Sequence, residues 1–304
     1  MNNITGFSYD SEEILKAIAK KHTESDVTIY GRKDQDLTTT IFSPLKFPDK
    51  ISSLTDSVSL SDFNIVGMSH VDRFLGEVII ALDLLGKGRG FIPVKDDIDI
   101  SSIQRITRGS VLSKYEHFNG SPMEMMGKIE SMAKDLKRKE EGKVSVIIDH
   151  FFKVKSVGTV VLGFVESGVL KKHQNLYLNP TGKIGQVRSI QMNDIDFEEA
   201  WAGSRVGLAL KNVEIDDMER GFKLQEDKIE PVKDISGKIV YHSAIGEDLK
   251  GDGEYFIAGN LRYQRGFLKD GILEMDRPAV KNESYLLVKP NSRPRIVGKI
   301  ILSD

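Results

Sequence analysis

The sequence predicts a multidomain chain of α/β plus all-β class, with one α/β domain ahead of two small antiparallel β-barrels. Three observations predict it. Strand-like and helix-like patterns alternate as far as Gly142. Short strands punctuated by glycine follow from Val144. A second run of strands then extends from Pro231 to the end. The predicted domains are 1–142, 143–228 and 229–304.

In the first domain Asp10 and Glu13 stand as a capping-box pair ahead of Ile14, Leu15 and Ile18, which predicts a short amphipathic helix. Residues 27–30 are β-branched and aromatic, predicting a strand that runs into a loop at Gly31; residues 63–67 predict another. Leu75, Val78, Ile79, Leu82 and Leu85 share one side of a helix over 73–85, ended by Gly86. Residues 91–94 form the next strand. Met123, Met126, Ile129, Met132 and Leu136 recur at helical spacing, as in a helix packed on its own sheet. The charged run 134–143 reads as a solvated helix end and linker.

From Val144 the pattern changes. Apolar segments at 144–148, 159–165, 175–178, 186–190 and 206–210 are separated by glycines at 158, 163, 168, 182, 185 and 203, which suits the bulges and corners of a small barrel. Segments 238–241, 255–257, 285–288 and 295–302 predict the strands of the third domain.

A chain of 304 residues with 39% hydrophobic and 29% charged residues has a soluble globular balance. Its net charge of −2 excludes a globally basic nucleic-acid coat and leaves room for a local basic patch. The absence of cysteine excludes disulfides and thiolate metal sites and fits a reducing compartment. No stretch has the length and apolarity of a membrane span, and the start, Met1-Asn-Asn-Ile-Thr-Gly6, carries no signal-peptide pattern. A cytoplasmic location with no membrane partner is expected. The histidines at 22, 70, 117, 150, 173 and 242 are scattered without ligand spacing, so no metal site is expected. No nucleophile elbow or isolated carboxylate pair stands out, and no catalytic residue is assigned.

One loop carries a chemical signal. Gly31-Arg-Lys-Asp34-Gln-Asp36-Leu37-Thr38-Thr39 follows the spacing of the phosphate-binding loop G-x-x-x-x-G-K-[ST], with Asp36 for the second glycine and Leu37 for the lysine. A carboxylate thus replaces the residue that lets the backbone approach, and an alkyl group replaces the cation. The same residues also suit an ordinary strand-to-loop turn at Tyr30-Gly31.

The segment Phe152-Lys-Val-Lys-Ser-Val-Gly158-Thr-Val-Val-Leu-Gly163-Phe-Val-Glu-Ser-Gly168-Val-Leu-Lys171 resembles the second domain of translational GTPases. That family includes elongation factor Tu, elongation factor 1-alpha and the selenocysteine-specific factor. Val187-Arg-Ser-Ile-Gln191, Ala202-Gly-Ser-Arg205-Val-Gly-Leu-Ala-Leu-Lys211 and Asp217-Met-Glu-Arg220-Gly221-Phe-Lys-Leu224 continue the match in the family's order. Arg295-Ile-Val-Gly298 resembles the last strand of its third domain.

The resemblance implies a degenerate P-loop GTPase-like domain at the front. The family's loop G-H-V-D-H-G-K-[ST]-T keeps Gly31, Asp34, Thr38 and Thr39 here, while Arg32 and Gln35 replace histidines. Its base-recognition motif N-K-x-D becomes Val94-Lys95-Asp96-Asp97, matching at Lys95 and Asp97. The D-x-x-G turn that senses the γ-phosphate through magnesium is missing between Gly31 and Phe63, an interval too short for two switch regions. GTP and magnesium are therefore disfavoured, and no cofactor is expected. Thr38, the family's magnesium ligand, becomes a helix-start hydroxyl, and Asp97, beside Asp96 and Asp99, a solvated carboxylate.

What survives is the recognition half. Gln191 and Glu199 match residues that line the family's aminoacyl-end pocket. Arg188 and Arg205 are either phosphate contacts or surface strand charges. Trp201 either stacks on a terminal base or anchors against a neighbouring domain, and the second is favoured. Arg262, Arg265 and Lys269, interleaved with Tyr263 and Phe267, suit either RNA contact or a barrel rim. The expected function is an elongation factor-like pseudo-GTPase that binds tRNA or the ribosome, with no DNA partner. The alternatives are a genuine GTP-binding factor with a divergent phosphate site, and a regulatory scaffold that binds another translation factor.

Overall fold

A computed structural model of the protein describes residues 2–34, 37–94, 100–136, 141–280 and 284–302. The N-terminal domain runs β1 (Asn2–Tyr9), α1 (Glu12–Ile18), β2 (Lys20–Glu24), β3 (Thr28–Lys33), β4 (Leu37–Ser43), α2 (Ile51–Ser59) and β5 (Phe63–Val66). It continues with α3 (Arg73–Leu84), β6 (Gly90–Pro93), α4 (Ile100–Thr107), β7 (Glu116–Phe118) and α5 (Pro122–Asp135). The sheet order is β2-β3-β4-β1-β5-β6-β7. β1 is central and pairs in parallel with β4 and β5, whereas β2, β3 and β4 form an antiparallel meander at one edge.

Asn and Gly make β1 a weak strand by propensity, and neighbouring side chains satisfy it. Thr5 donates from its hydroxyl to Leu60 O at 2.6 Å, and its backbone N donates to Asp62 Oδ2 at 2.8 Å. Gly6 leaves room for the Phe63 ring, which would lie 2.4 Å from a Cβ there. Ile4, Tyr30, Ile41, Phe63, Ile65 and Phe91 form the sheet's part of a core that Leu15 and Ile18 of α1 help to cover.

α5 begins with a complete capping box between Ser121 and Glu124 and packs on α1 and β1. Its buried face is Met125, Met126, Ile129 and Ala133, while Met123 is 63% exposed, so the methionine stripe is rotated from the predicted one. The box expected at Asp10 and Glu13 is not formed. Ser11 is the N-cap of α1 and makes no side-chain cap bond, its hydroxyl being engaged by Ser8 Oγ and Tyr9 O, while the Asp10 carboxylate accepts from Ser69 N.

The second domain contains β8 (Ser145–Val154), β9 (Gly158–Ser167), β10 (Val169–Lys171), β11 (Asn175–Asn179), β12 (Lys183–Met192), β13 (Ile195–Phe197), β14 (Glu199–Trp201), β15 (Arg205–Lys211) and β16 (Lys223–Gln225). Strands β11-β16-β8-β9-β15-β12 form a six-stranded antiparallel barrel, closed where β12 returns to β11. β13 extends from β12, and β10 pairs with β14. Val146, Ile148, Val161, Leu178, Ile190 and Leu208 fill the interior. Gly163 is required by a close approach: a Cβ there would meet Ile147 O at 2.3 Å, beside the register shift between Ile148 and His150.

The third domain is a closed six-stranded barrel in the order β17-β20-β19-β18-β21-β22, from β17 (Val232–Tyr241), β18 (Gly253–Gly259), β19 (Arg262–Lys269), β20 (Ile272–Ala279), β21 (Ser284–Val288) and β22 (Ile296–Leu302). The chain divides into two compact units that share this barrel. One holds Met1–Leu136, Lys238–Gly259 and Ser284–Ile301, and the other holds Lys137–Gly237 and Asn260–Glu283 with the last residues. No helix among the described residues is long and apolar enough to cross a membrane.

Candidate functional site

The residues read as a phosphate loop lie in a hairpin. Gly31 is inside β3 and Leu37, Thr38 and Thr39 are inside β4, with Arg32 opposite Thr39 and Lys33 opposite Thr38. The tip is held by Asp34 N donating to Leu37 O at 2.9 Å. A phosphate loop needs a strand, a loop and then a helix whose N-terminus faces the anion. Here a strand follows instead, so neither the loop nor the helix-start role of Thr38 stands. The β-branched run Thr38-Thr-Thr-Ile41 was the signal for that strand.

Other forces explain the residues. The ring of His22 on β2 lies where a Gly31 side chain would project, 2.8 Å from its Cβ position. Leu37 is buried in the core, and Asp34 accepts from Arg32 Nε at 2.8 Å. Asp36, Lys95 and Asp97 lie outside the described residues.

The strand that enters a helix at the sheet's centre is β1, and its connection to α1 consists of Asp10 and Ser11. Ligands of open α/β sheets bind beyond the carboxyl ends of such strands. In this chain that place is occupied by protein. Gly67 N donates to Tyr9 O at 2.8 Å, and Ser69 N donates to Asp10 Oδ2 at 2.7 Å, lacing the ends of β1 and β5 together. Gly67 must be glycine, since a Cβ would meet Asp10 O at 1.8 Å.

Charge at this end is negative. Glu12 and Glu13 occupy the first turn of α1, and Asp72 caps α3 by accepting from Phe74 N and Leu75 N, both at 2.9 Å. Burial, and then Asp72 and Asp10, push the Tyr9 hydroxyl up to about 12. Beyond β4 the chain reads Pro44-Leu-Lys-Phe47. The Phe47 ring packs edge-on against Tyr9 and Phe74, with centroids 6.0 Å apart in each pair.

The residues present do not fit a triphosphate. The connection is two residues long and carries no lysine, and the Asp10 carboxylate in it is already bonded to Ser69 N. No group of three or more His, Asp or Glu among the described residues is arranged to hold a metal ion. This site was missed in the sequence because β1 carries no apolar alternation.

On the second barrel the candidates separate. Gln191 and Arg205 lie on the adjacent strands β12 and β15, with Gln191 opposite Gly207. Gln191 Nε2 donates to Asp196 Oδ1 at 2.9 Å, and Arg188 Nη1 donates to Val157 O at 3.2 Å. Burial lowers the pKa of the Arg205 guanidinium, with Asp149 acting the other way, and its Nε is buried with no partner among the described residues. Glu199 sits apart on β14, opposite Lys171. Trp201 packs on the barrel's own core, so neither base stacking nor a neighbouring domain is needed to explain it.

On the third barrel the strand period splits the basic cluster. Arg262 points inward and is 8% exposed; it donates to Glu219 Oε2 and Pro278 O, both at 3.0 Å, and its guanidinium lies 5.4 Å over the Phe222 ring. It is a packing residue, and its candidacy as an RNA contact is withdrawn on that ground. Arg265, Phe267 and Lys269 face outward on β19.

Comparison with known proteins agrees with this architecture. Residues 158–224 match the family model for elongation factor Tu domain 2. The chain is 31% identical over 185 residues to the selenocysteine-specific elongation factor of Methanocaldococcus jannaschii, covering 54% of this chain and 39% of that factor. Translation elongation factor SelB from Methanococcus maripaludis, solved with the GTP analogue GppNHp, superposes with a TM-score of 0.82 at 18% identity, over 100% of this chain and 79% of that one. A bacterial selenocysteine-specific elongation factor gives 0.80 at 16% identity, over 99% of this chain and 58% of that one.

Residues 158–224 thus carry an elongation factor Tu domain 2, and the chain as a whole shares the fold of these elongation factors. Its similarity extends through most of its length to the uncharacterized protein MJ0325 of Methanocaldococcus jannaschii, at 34% identity over 251 residues, 83% of this chain and 81% of that one.

Proposed function

We propose that this protein is a pseudo-GTPase of the elongation-factor family, which binds tRNA or the ribosome without a nucleotide cycle and needs neither GTP nor magnesium. The observation that carries the reading is the two-residue turn from β1 to α1, where Asp10 is tied to Ser69 and flanked by Glu12 and Glu13. A phosphate set against the Asp10 carboxylate in a desolvated turn would cost several kcal/mol, comparable with the roughly 8 kcal/mol of a micromolar ligand.

The retained second barrel supports the binding half of the proposal, with Arg188, Gln191 and Arg205 as the candidate contacts. Calorimetry with GTP and GDP, each with and without magnesium, tests the first half; micromolar binding would favour a genuine GTPase with a divergent site. Sequencing of co-purified RNA tests the second. Recovery of a defined tRNA or ribosomal RNA supports it, and recovery of none turns the reading toward a scaffold for another translation factor.

A further inference from the structure

Beside α3, and wholly within the first compact unit, lies a half-open cleft of about 560 Å³. Its lining combines apolar surface, Phe74 and Ile80 from α3 with Pro48 and Pro294, with several charged side chains. A concavity of this size with apolar walls and a few polar groups at the rim is the usual form of a small-molecule site.

Part of the space exists because one side chain is missing. Gly76 lines the cleft from within α3, and nothing stands within 4 Å of the position its Cβ would take. Glycine is a poor helix-interior residue, so its presence here is not explained by the helix.

The rim has an unbalanced charge. Arg73 lies with its guanidinium 4.7 Å over the Phe74 ring and has no hydrogen-bond acceptor among the described residues. Arg293 lines the cleft too and, among the described residues, donates only to the carbonyl of Ser292 at 2.9 Å. Of the carboxylates that line the cleft, Glu77 is already bound by Arg295, which leaves Asp49 against two arginines. A guanidinium resting against an aromatic ring presents a planar fork, which matches a carboxylate better than a point charge does.

We propose that this cleft binds a small aromatic carboxylate, with the ring between Phe74 and the prolines over Gly76 and the carboxylate on Arg73. The proposal rests on neither the nucleotide reading nor the candidate RNA contacts of the second barrel.

The test uses the full-length protein and isothermal titration with indole-3-acetate, against indole-3-acetamide as the neutral match. The acid is expected to saturate the wild type and to bind about 10-fold or more tighter than the amide, as a charge-assisted bond to Arg73 requires. Arg73→Gln should weaken the acid about 10-fold and leave the amide unchanged. Gly76→Leu fills the cleft and should abolish binding of both, while Gly76→Ala, with an unchanged or raised melting temperature, confirms that α3 tolerates a side chain there. No saturable binding of the acid by the wild type, equal binding of acid and amide, or a Gly76→Leu protein that binds like the wild type would each overturn the proposal.

Discussion

Removing the Glu77 carboxylate should be among the most damaging single changes in this protein. Glu77 lies in α3 at 3% exposure. Its Oε1 accepts from the backbone N of Arg295 at 2.9 Å and from Arg295 Nε at 3.0 Å, and its Oε2 accepts from Arg295 Nη2 at 2.5 Å. Arg295 also donates from Nη1 to Pro48 O at 2.6 Å, and its guanidinium lies 5.6 Å over the Phe47 ring. The bond network thus joins α3, the segment after β4 and the residue that precedes β22.

In Glu77→Ala three donors of a buried guanidinium and its backbone lose their acceptor. Breaking a buried pair by deleting one partner costs about 3–5 kcal/mol, a large part of the roughly 5–15 kcal/mol that holds a domain folded. Urea unfolding followed by far-ultraviolet circular dichroism, which reads the helices of the N-terminal domain, shows the cost as a lowered midpoint. The double variant Glu77→Leu with Arg295→Met keeps the volume without either charge, and should recover most of the loss. If Glu77→Ala shifts stability by less than about 1 kcal/mol, or the double variant is as unstable as the single one, the pair is not what fastens α3 to the third barrel.

Three further outcomes are expected. Arg262→Ala should destabilise by about 2–3 kcal/mol in urea, discounted because Glu219 is half exposed, whereas Arg265→Ala on the outer face should stay within about 0.5 kcal/mol. Gly31→Ala should cost no more than about 1 kcal/mol, because the exposed His22 ring that the methyl meets can swing aside, and His22→Ala should remove that cost, a coupling that a phosphate-loop role would not produce. Burial lowers the pKa of the Lys87 ammonium from 10.5 to about 8, with Asp62 opposing. Between those two pH values the unfolded chain holds a proton that the folded protein has lost, so stability should rise with pH across that window by on the order of 3 kcal/mol and be flat below it. Lys87→Met should remove this slope in urea titrations taken from pH 7 to 10.5.

The two barrels were legible because their information is local. Glycines at strand turns, period-two alternation and short loops each act over a few residues, and the strands 158–167, 183–192 and 205–211 stand where the pattern placed them. The β19–β20 hairpin was less visible, since Arg262, Gln264 and Gly266 occupy its inward positions in place of a run of aliphatic residues. Arg262 is tolerated there by Glu219 and Phe222, which are distant in sequence and cannot be anticipated from the strand itself.

The N-terminal domain went wrong at one place for a related reason. Its central strand is built from Asn3, Thr5, Gly6 and Ser8 between Ile4 and Phe7, and only Asp62, Phe63 and Leu60 make that composition a strand. With β1 unseen, Gly31 became the first glycine to follow a clear strand, and the phosphate-loop spacing was laid on a hairpin. The proposal that the chain works without a nucleotide rests instead on Asp10, in the turn that follows β1. The hairpin version needed Asp36 and Leu37 to act as repellents at a loop tip. At the end of β1 the obstacle is steric and electrostatic together, because the turn is too short to wrap a phosphate and the donors Gly67 N and Ser69 N are already spent on Tyr9 and Asp10.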